Sequence, residues 1–222
     1  MSPAGNARSG PPPGISPLFW RLVIAEPLAE LSALDVGTGD GRLALVLAPR
    51  CRRVVGIDRA PASIAEADRR AAAARLTNVE FVVADAEVSE YAVWAPDFVV
   101  AHLCVSDAII ERAAHALGPG RVLAFLAFHV DQWCETGRPS RFSYDEDRAR
   151  GVLTRAGFVV EHLEVERRVT TFGSVEEALA AVVTLEERWK VDGRWVQYLR
   201  FLERGGRTLT LSHLIVKARR AA

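Results

Sequence analysis

The sequence predicts an α/β fold in which helices cover both faces of a doubly wound, mostly parallel sheet. Short apolar runs alternate with helical patterns in the first part of the chain, as in parallel strands joined by crossover helices. Three of these runs carry an aspartate at or near their C-terminal end: Asp35, Asp58 and Asp85. Because the carboxyl ends of parallel strands meet at one edge of an open sheet, we expect the three carboxylates to line one crevice.

Length and composition favour one folded domain, residues 17–222, preceded by a tail. The chain has 222 residues, half of them hydrophobic, which is enough for a substantial core. Residues 1–16 are rich in proline and glycine and predict a disordered tail. The 28 basic and 28 acidic residues balance, so bulk charge does not favour a nucleic acid or an anionic membrane as partner.

Cellular location and metal binding follow from the cysteines and the apolar runs. The three cysteines have no C-x-x-C spacing, which favours reduced thiols over a metal site. No apolar run is long enough to span a membrane, and the first residues lack a secretory signal pattern. We therefore expect a cytoplasmic protein.

Residues 17–31 carry apolar side chains at helical spacing and predict a helical segment leading into the first strand. Phe19 and Trp20 lie on this segment. Core or lid packing is the favoured interpretation for both, and direct contact with a ligand is the alternative.

A glycine turn follows the first strand, which ends near Val36. The turn contains Gly37, Gly39 and Gly41, and an apolar helical run begins immediately afterwards. Glycine permits positive φ and close approach of a ligand to the backbone, so a strand, a glycine turn and a helix start predict a nucleotide-type site. The alternative is a turn that serves only strand–helix packing.

The spacing and charge of this turn argue against a dinucleotide. The G-x-G-x-x-G fingerprint requires a third glycine at position 42, where this chain has Arg42. Asp35 and Asp40 flank the turn and are expected to repel a pyrophosphate and attract an ammonium or sulfonium group.

The second and third predicted strands each carry an aspartate at their C-terminal end. Asp58 ends the run 53–58, about 20 residues after the turn, where a carboxylate accepts ribose hydroxyl hydrogens in enzymes that bind a nucleoside cofactor. This feature does not choose between cofactors, and a solvated carboxylate at a strand end is the alternative. Asp85 lies at the C-terminal end of the third run, 79–86, and a helix N-cap is the alternative role there.

The run Asp35-Val36-Gly37-Thr38-Gly39-Asp40-Gly41, joined by the later acids, resembles the class I S-adenosylmethionine-dependent methyltransferases. The resemblance implies S-adenosyl-L-methionine as cofactor and a seven-stranded sheet whose last strand is antiparallel. Asp85 is expected to accept a hydrogen bond from the adenine amine. The implied cofactor-binding residues are Asp35, Gly37, Thr38, Gly39, Gly41, Asp58, Arg59, Asp85, Ala86 and His102.

The fourth strand ends in Ala101-His102-Leu103-Cys104. Related enzymes that methylate nucleic-acid amines carry an N/D-P-P-Y type motif here, so methylation of adenine N6 is disfavoured. His102 is our candidate catalytic residue, either as a general base or simply as a packing histidine. Cys104 is less favoured as a nucleophile. Methyl transfer from an activated sulfonium relies mainly on alignment and exclusion of water, so a base can be dispensable.

The second part of the chain contains a helical insertion. A fifth strand over 121–130 is followed by residues that form either substrate contacts or an ordinary surface loop: His129, Asp131, Gln132, Trp133 and Tyr144. The pattern then predicts a helix over 144–156 and strands over 158–169 and 208–216. About 35 residues of helical pattern, 172–206, separate these strands, too many for a plain turn. We interpret them as a cap on the substrate pocket or a homodimer contact.

The favoured function is methyl transfer from S-adenosyl-L-methionine to a small molecule, which the neutral, compact chain suits best. An RNA or protein methyltransferase is the first alternative. A protein of another class, either a NAD-binding oxidoreductase or a non-catalytic nucleotide-binding protein, is the second.

Overall fold

A computed structural model describes residues 10–140 and 142–222. Within them the chain divides into two compact units. The first unit contains residues 10–126, 150–163 and 215–222, and the second contains residues 127–149 and 164–214. The predicted tail falls mostly on residues 1–9, which lie outside the described residues. Ile15 is buried and Ser16 Oγ accepts a hydrogen bond from Phe19 N at 3.2 Å, so these two residues belong to the folded part.

Strands and helices alternate along the chain as far as the fifth strand, except that only a short 3₁₀ helix, Tyr91–Trp94, separates the third strand from the fourth. The strands are β1 (Ser32–Val36), β2 (Arg53–Asp58), β3 (Val79–Val83), β4 (Phe98–His102) and β5 (Val122–His129). The helices are α1 (Pro17–Ile24), α2 (Arg42–Leu47), α3 (Pro61–Ala73) and α4 (Asp107–Ala116). Proline at the first position of α1 and α3 suits a helix start, because its missing N–H has no intrahelical partner there.

The remaining elements are β6 (Ser143–Tyr144), α5 (Glu146–Arg155), β7 (Phe158–Thr171), α6 (Val175–Val182), α7 (Glu186–Asp192), α8 (Arg194–Glu203) and β8 (Thr208–Arg220). The predicted helix over 144–156 is wrong at its start. Tyr144 pairs with His129 in the sheet, and Asp145 Oδ1 accepts a hydrogen bond from Arg148 N at 2.7 Å, which caps the helix after it.

The sheet order is β3-β2-β1-β4-β5-β8-β7, and β6 pairs with β5 off this path. Strands β1 to β5 are parallel neighbours along this order. Arg220 N donates to Arg121 O, and Trp133 N donates to Thr210 O. The partner numbers on the β8 side fall as those on the β5 side rise, so β8 runs antiparallel to β5. The predicted α/β fold is confirmed, including the antiparallel last strand and the helices inserted before it. The two-residue β6 was not predicted.

Each unit has its own hydrophobic cluster. In the first unit, α1 and the sheet bury Phe19, Trp20, Leu47 and Phe98 within a cluster of aliphatic side chains. The packing role predicted for Phe19 and Trp20 is therefore confirmed. In the second unit, the cluster is built around aromatic residues, with Trp189 and Tyr198 fully buried. Among the described residues, no helix is long and apolar enough to cross a membrane.

Candidate functional site

The turn between β1 and α2 is tied to β2 by backbone hydrogen bonds. Thr38 N donates to Ile57 O at 2.9 Å, and Gly41 N donates to Thr38 O at 3.0 Å. Gly37, Gly39 and Gly41 have φ of 68°, 55° and 80°, a region that side chains disfavour. The turn is thus held at the carboxyl ends of β1 and β2, as the sequence predicted.

Gly37 and Gly39 meet different surroundings. A Cβ built on Gly37 would collide with the side chain of Cys104, whereas one built on Gly39 would meet nothing within 4 Å. The turn is therefore packed on the Gly37 side and open on the Gly39 side. The open side leaves room for a ligand to approach the backbone closely.

Asp35 is a buried residue of β1 whose carboxylate forms hydrogen bonds with the turn and with α2. Its side chain is 1% exposed, and Oδ2 accepts hydrogen bonds from Thr38 Oγ1 at 2.7 Å and from Ala44 N at 3.1 Å. Burial raises the pKa of Asp35 from 3.8 to about 6, and these two hydrogen bonds oppose part of that increase. Asp35 thus connects the end of β1 to the turn and to α2.

Asp58 connects the glycine turn to the end of β2. Its Oδ2 accepts a hydrogen bond from Gly39 N at 2.9 Å, and its Oδ1 accepts one from Ala60 N at 2.9 Å. The residue is only partly buried. Because a carboxylate oxygen has two lone pairs, both oxygens retain capacity for a further donor such as a hydroxyl. Arg59, the next residue, is exposed.

The charge expected from Asp35 and Asp40 does not stand free at the turn. Asp40 Oδ2 lies 2.5 Å from Arg70 Nη1, which also donates to the Asp40 carbonyl oxygen at 2.9 Å. Asp35 is buried, as described above. Asp35 is inside the protein and Asp40 pairs with Arg70, so attraction of a cationic group by these two carboxylates stays a prediction. Asp40 and Asp58 are both partly accessible at the turn.

Asp85 lies after the end of β3 and is exposed. Its Oδ1 accepts a hydrogen bond from Glu87 N at 2.9 Å, and its carbonyl oxygen accepts one from Ser89 N at 2.9 Å. The carboxylate thus stabilises a local turn, close to the capping role that was the alternative. Ala86 is buried, and its carbonyl oxygen accepts a hydrogen bond from Tyr91 Oη at 2.7 Å. Contact of either residue with a cofactor stays a prediction.

His102 ends β4 and is partly buried, with its ring centroid 6.0 Å from that of Phe19. This contact suits the packing interpretation and leaves the catalytic one a prediction. Leu103 follows with φ of 60°, and its N–H donates to Leu126 O at 2.7 Å. Burial raises the pKa of the Cys104 thiol to about 11. The thiol therefore stays protonated at neutral pH and is a poor nucleophile.

The loop residues predicted after β5 are mostly structural within the second unit. Gln132 and Trp133 are buried, and Gln132 Oε1 accepts a hydrogen bond from Ser212 N at 2.5 Å. His129 Nδ1 lies 3.0 Å from Ser212 Oγ, and its Nε2 lies 3.3 Å from Glu146 Oε2. Tyr144 is fully buried, whereas Asp131 is partly exposed. Substrate contact by these residues stays a prediction.

Three residues that shape the site were missed by sequence reasoning. Cys104 packs against Gly37, Arg70 pairs with Asp40, and Tyr91 binds the Ala86 carbonyl. None of them belongs to a recognisable motif. Arg70 lies on α3, and the local sequence pattern of that helix contains no signal for the pairing.

Comparison with known proteins identifies the region that contains this turn. Residues 33–127 match the family model described as "Methyltransferase domain". A stretch of 76 residues is 36% identical to a Bacillus cereus protein described as an uncharacterized RNA methyltransferase. That stretch is 34% of this chain and only 16% of the relative.

Solved structures share the fold of nearly the whole chain. The YcgJ protein from Bacillus subtilis superposes with a TM-score of 0.72 at 14% identity, covering 92% of this chain and 98% of that one. Magnesium protoporphyrin IX methyltransferase from Synechocystis with bound SAH superposes with a TM-score of 0.61 at 18% identity, covering 92% of this chain and 80% of that one. An S-adenosylmethionine-dependent methyltransferase from Mesorhizobium loti superposes with a TM-score of 0.59 at 20% identity, covering 90% of this chain and 97% of that one.

Proposed function

We propose that this chain transfers a methyl group from S-adenosyl-L-methionine to a small molecule. The proposal is supported by the fold that the chain shares with solved methyltransferases and by the match of residues 33–127 to a methyltransferase-domain model. The fold implied by the glycine turn and the three aspartates is confirmed, and the family-model match covers residues 33–127. The cofactor and the acceptor are the parts that we propose.

The hydrogen bond from Gly39 N to Asp58 Oδ2, 2.9 Å long, carries the proposal. It brings a partly exposed carboxylate to the open side of the glycine turn. A nucleoside whose ribose hydroxyls donate to that carboxylate would lie beside the Gly39 backbone, where no Cβ obstructs it. The residues at the turn thus fit the nucleoside part of the proposed cofactor.

In this proposal, the protein binds the cofactor and the acceptor and aligns them for methyl transfer. The sulfonium group of the cofactor supplies an activated methyl, so the chain must hold the acceptor in line with it and exclude water. Asp58 and the turn from Gly37 to Gly39 would hold the nucleoside and amino-acid parts. His102 is the residue that we propose to accept a proton where the acceptor must lose one.

An RNA acceptor is the second candidate, favoured by the match to the Bacillus cereus protein described as an RNA methyltransferase. The balance of 28 basic and 28 acidic residues favours a small molecule instead. A screen for transfer of a labelled methyl group to metabolites and to RNA separates the two. Label in RNA alone would replace the small-molecule proposal.

Thermal unfolding in the presence of S-adenosylhomocysteine tests the cofactor proposal. A concentration about 100 times the Kd stabilises a protein by about 2.7 kcal/mol, which for a chain of this size raises the Tm by about 5–10 °C. We expect this increase in the native chain and its loss in Asp58→Ala. Asp68→Ala is the matched control, because Asp68 is an exposed aspartate on α3.

The Tm of each variant without ligand shows whether it folds. If Asp58→Ala is unfolded, Asp58→Asn takes its place, because asparagine keeps an oxygen that can accept the Gly39 hydrogen bond. An unchanged Tm of the native chain at millimolar ligand would contradict the proposal. So would an equal increase in the native chain and in a folded Asp58 variant.

A further inference from the structure

The second unit contains a groove of about 530 Å³ between the segment after β5 and the junction of α7 with α8. Arg138, Arg188 and Arg194 line it together with a single carboxylate, Asp192. Its volume is within the range of small-molecule sites in proteins. None of these residues belongs to the glycine turn.

Arg194 is a structural residue of this groove. Its Nε donates to Arg138 O at 3.2 Å, and its Nη2 donates to Pro139 O at 3.1 Å. Its Nη1 pairs with Asp192, and the side chain is 11% exposed. The charge of Arg194 is therefore balanced by Asp192, and its donors fix the 138–139 segment against the start of α8.

Arg138 and Arg188 carry the uncompensated charge. Arg138 Nη1 donates to the backbone carbonyl oxygen of Asp192. This acceptor is uncharged and does not neutralise the guanidinium. Arg188 is exposed on α7, and its neighbours Glu186 and Glu187 each bind Lys190 Nζ at 2.8 Å. Within residues 10–140 and 142–222, neither arginine has a carboxylate partner. With Asp192 balancing Arg194, the groove keeps two positive charges.

The rest of the lining is ordered and partly apolar. Ser140 Oγ accepts a hydrogen bond from Phe142 N at 3.3 Å, and Ser140 O accepts one from Ser143 Oγ at 2.6 Å. Pro139 and Phe142 also line the groove and offer apolar surface next to the two guanidinium groups. A ligand that combines an anion with an apolar body would match both features.

We propose that this groove binds a small organic molecule through a phosphate or carboxylate group held by Arg188 and Arg138. A guanidinium presents a planar fork of donors that matches either oxyanion in a bidentate arrangement. Asp192 lines the same groove and disfavours a second anionic group near Arg194. A small anion fits this arrangement better than a polyanion, since the chain as a whole has no net charge.

Isothermal titration calorimetry of the full chain with phenyl phosphate and with benzoate tests this proposal and identifies the anion. Benzyl alcohol, which has the same ring without a charge, serves as the control ligand. We expect Arg188→Gln to weaken binding of the preferred anion by about tenfold, the effect of losing one charge-assisted hydrogen bond. Arg188→Lys, which keeps the charge without the fork, is expected to fall between the two.

Arg200→Gln is the matched control, because it removes an exposed positive charge from α8 without altering the groove lining. It should leave the affinity within about twofold of the native chain, as expected for a screened surface charge. The proposal is overturned if neither anion binds at millimolar concentration, if benzyl alcohol binds equally well, or if both glutamine variants weaken binding equally. The proposal stands apart from the cofactor proposal, since no step of the titration uses S-adenosylmethionine.

Discussion

The turn between β1 and α2 is shaped by backbone hydrogen bonds, whereas the core of the second unit is shaped by large aromatic rings. In the turn, the N–H groups of Thr38, Gly39 and Gly41 each have a defined acceptor. In the second unit, the ring centroid of Trp189 lies 5.3 Å from that of Trp133 and 5.6 Å from that of Tyr198, and both contacts are edge-to-face.

This difference explains why one region has a sequence motif and the other has none. A turn that needs three positive φ values and two nearby carboxylates constrains specific residues within a few positions of each other. An aromatic core tolerates many arrangements of large apolar residues, provided that volume and pattern are kept. The turn is therefore expected to respond to single-atom changes, and the aromatic core to loss of volume.

Truncation of Trp189 should give the largest loss of stability. The side chain is fully buried, so Trp189→Ala is expected to lower the free energy of unfolding by about 3–5 kcal/mol through lost burial and a cavity. Val191→Ala on the same helix is the control, since Val191 is 91% exposed, and should change it by less than about 0.5 kcal/mol. Urea unfolding followed by near-ultraviolet circular dichroism measures both. Similar losses in the two variants would contradict the aromatic core.

A pair of glycine variants sharpens the description of the turn. Gly37→Ala must place a methyl against Cys104 at positive φ, and we expect it to cost about 2–4 kcal/mol. Gly39→Ala has a similar φ with open space around the new methyl, so it should cost only about 1–2 kcal/mol.

Gly39→Ala, the milder of the two variants in its effect on stability, should have a large effect on binding of S-adenosylhomocysteine. The variant is expected to remain folded and to lose affinity, because the methyl would occupy the open side of the turn. Urea unfolding and calorimetric titration together measure the two effects. A Gly39→Ala variant that binds like the native chain would show that the ligand does not approach this side.

The buried carboxylate of Asp35 predicts a smaller, pH-dependent effect. Its pKa is raised from 3.8 to about 6 in the folded protein, so between these values the folded state binds more protons than the unfolded state. The free energy of unfolding should therefore fall as pH rises from about 4 to about 6, by up to about 3 kcal/mol from this residue. Asp35→Asn cannot ionise and should lack this part of the decrease.

Urea unfolding at a series of pH values between 4 and 7 measures this contribution. Asp40→Asn is the control, since its carboxylate lies on the surface and pairs with Arg70. It should keep the decrease seen in the native chain. If Asp35→Asn shows the same pH dependence as the native chain, Asp35 does not hold a raised pKa.

Features that depend on neighbours in sequence were predictable. The glycine turn and the acids at or near the ends of β1, β2 and β3 are local patterns, and the structure has each of them at the expected element. The helical insertion was predictable for the same reason, because α6 and α8 carry apolar residues at helical spacing.

Features that depend on distant partners were not predictable. Arg70 pairs with Asp40 thirty residues earlier, and Gln132 binds Ser212 eighty residues later. Tyr144 was assigned to a helix because its pairing with His129 leaves no trace in its own neighbourhood. The burial of Asp35 and the pairing of Asp40 with Arg70 were missed for the same reason, since the local sequence contains neither.

Direct titration of the full chain with S-adenosylhomocysteine and with NADH tests the central claim most directly. The proposal predicts saturable heat with S-adenosylhomocysteine, none with NADH, and loss of the first signal in Asp58→Ala but not in Asp68→Ala. Binding of NADH in preference to S-adenosylhomocysteine would contradict it and assign the glycine turn to a dinucleotide.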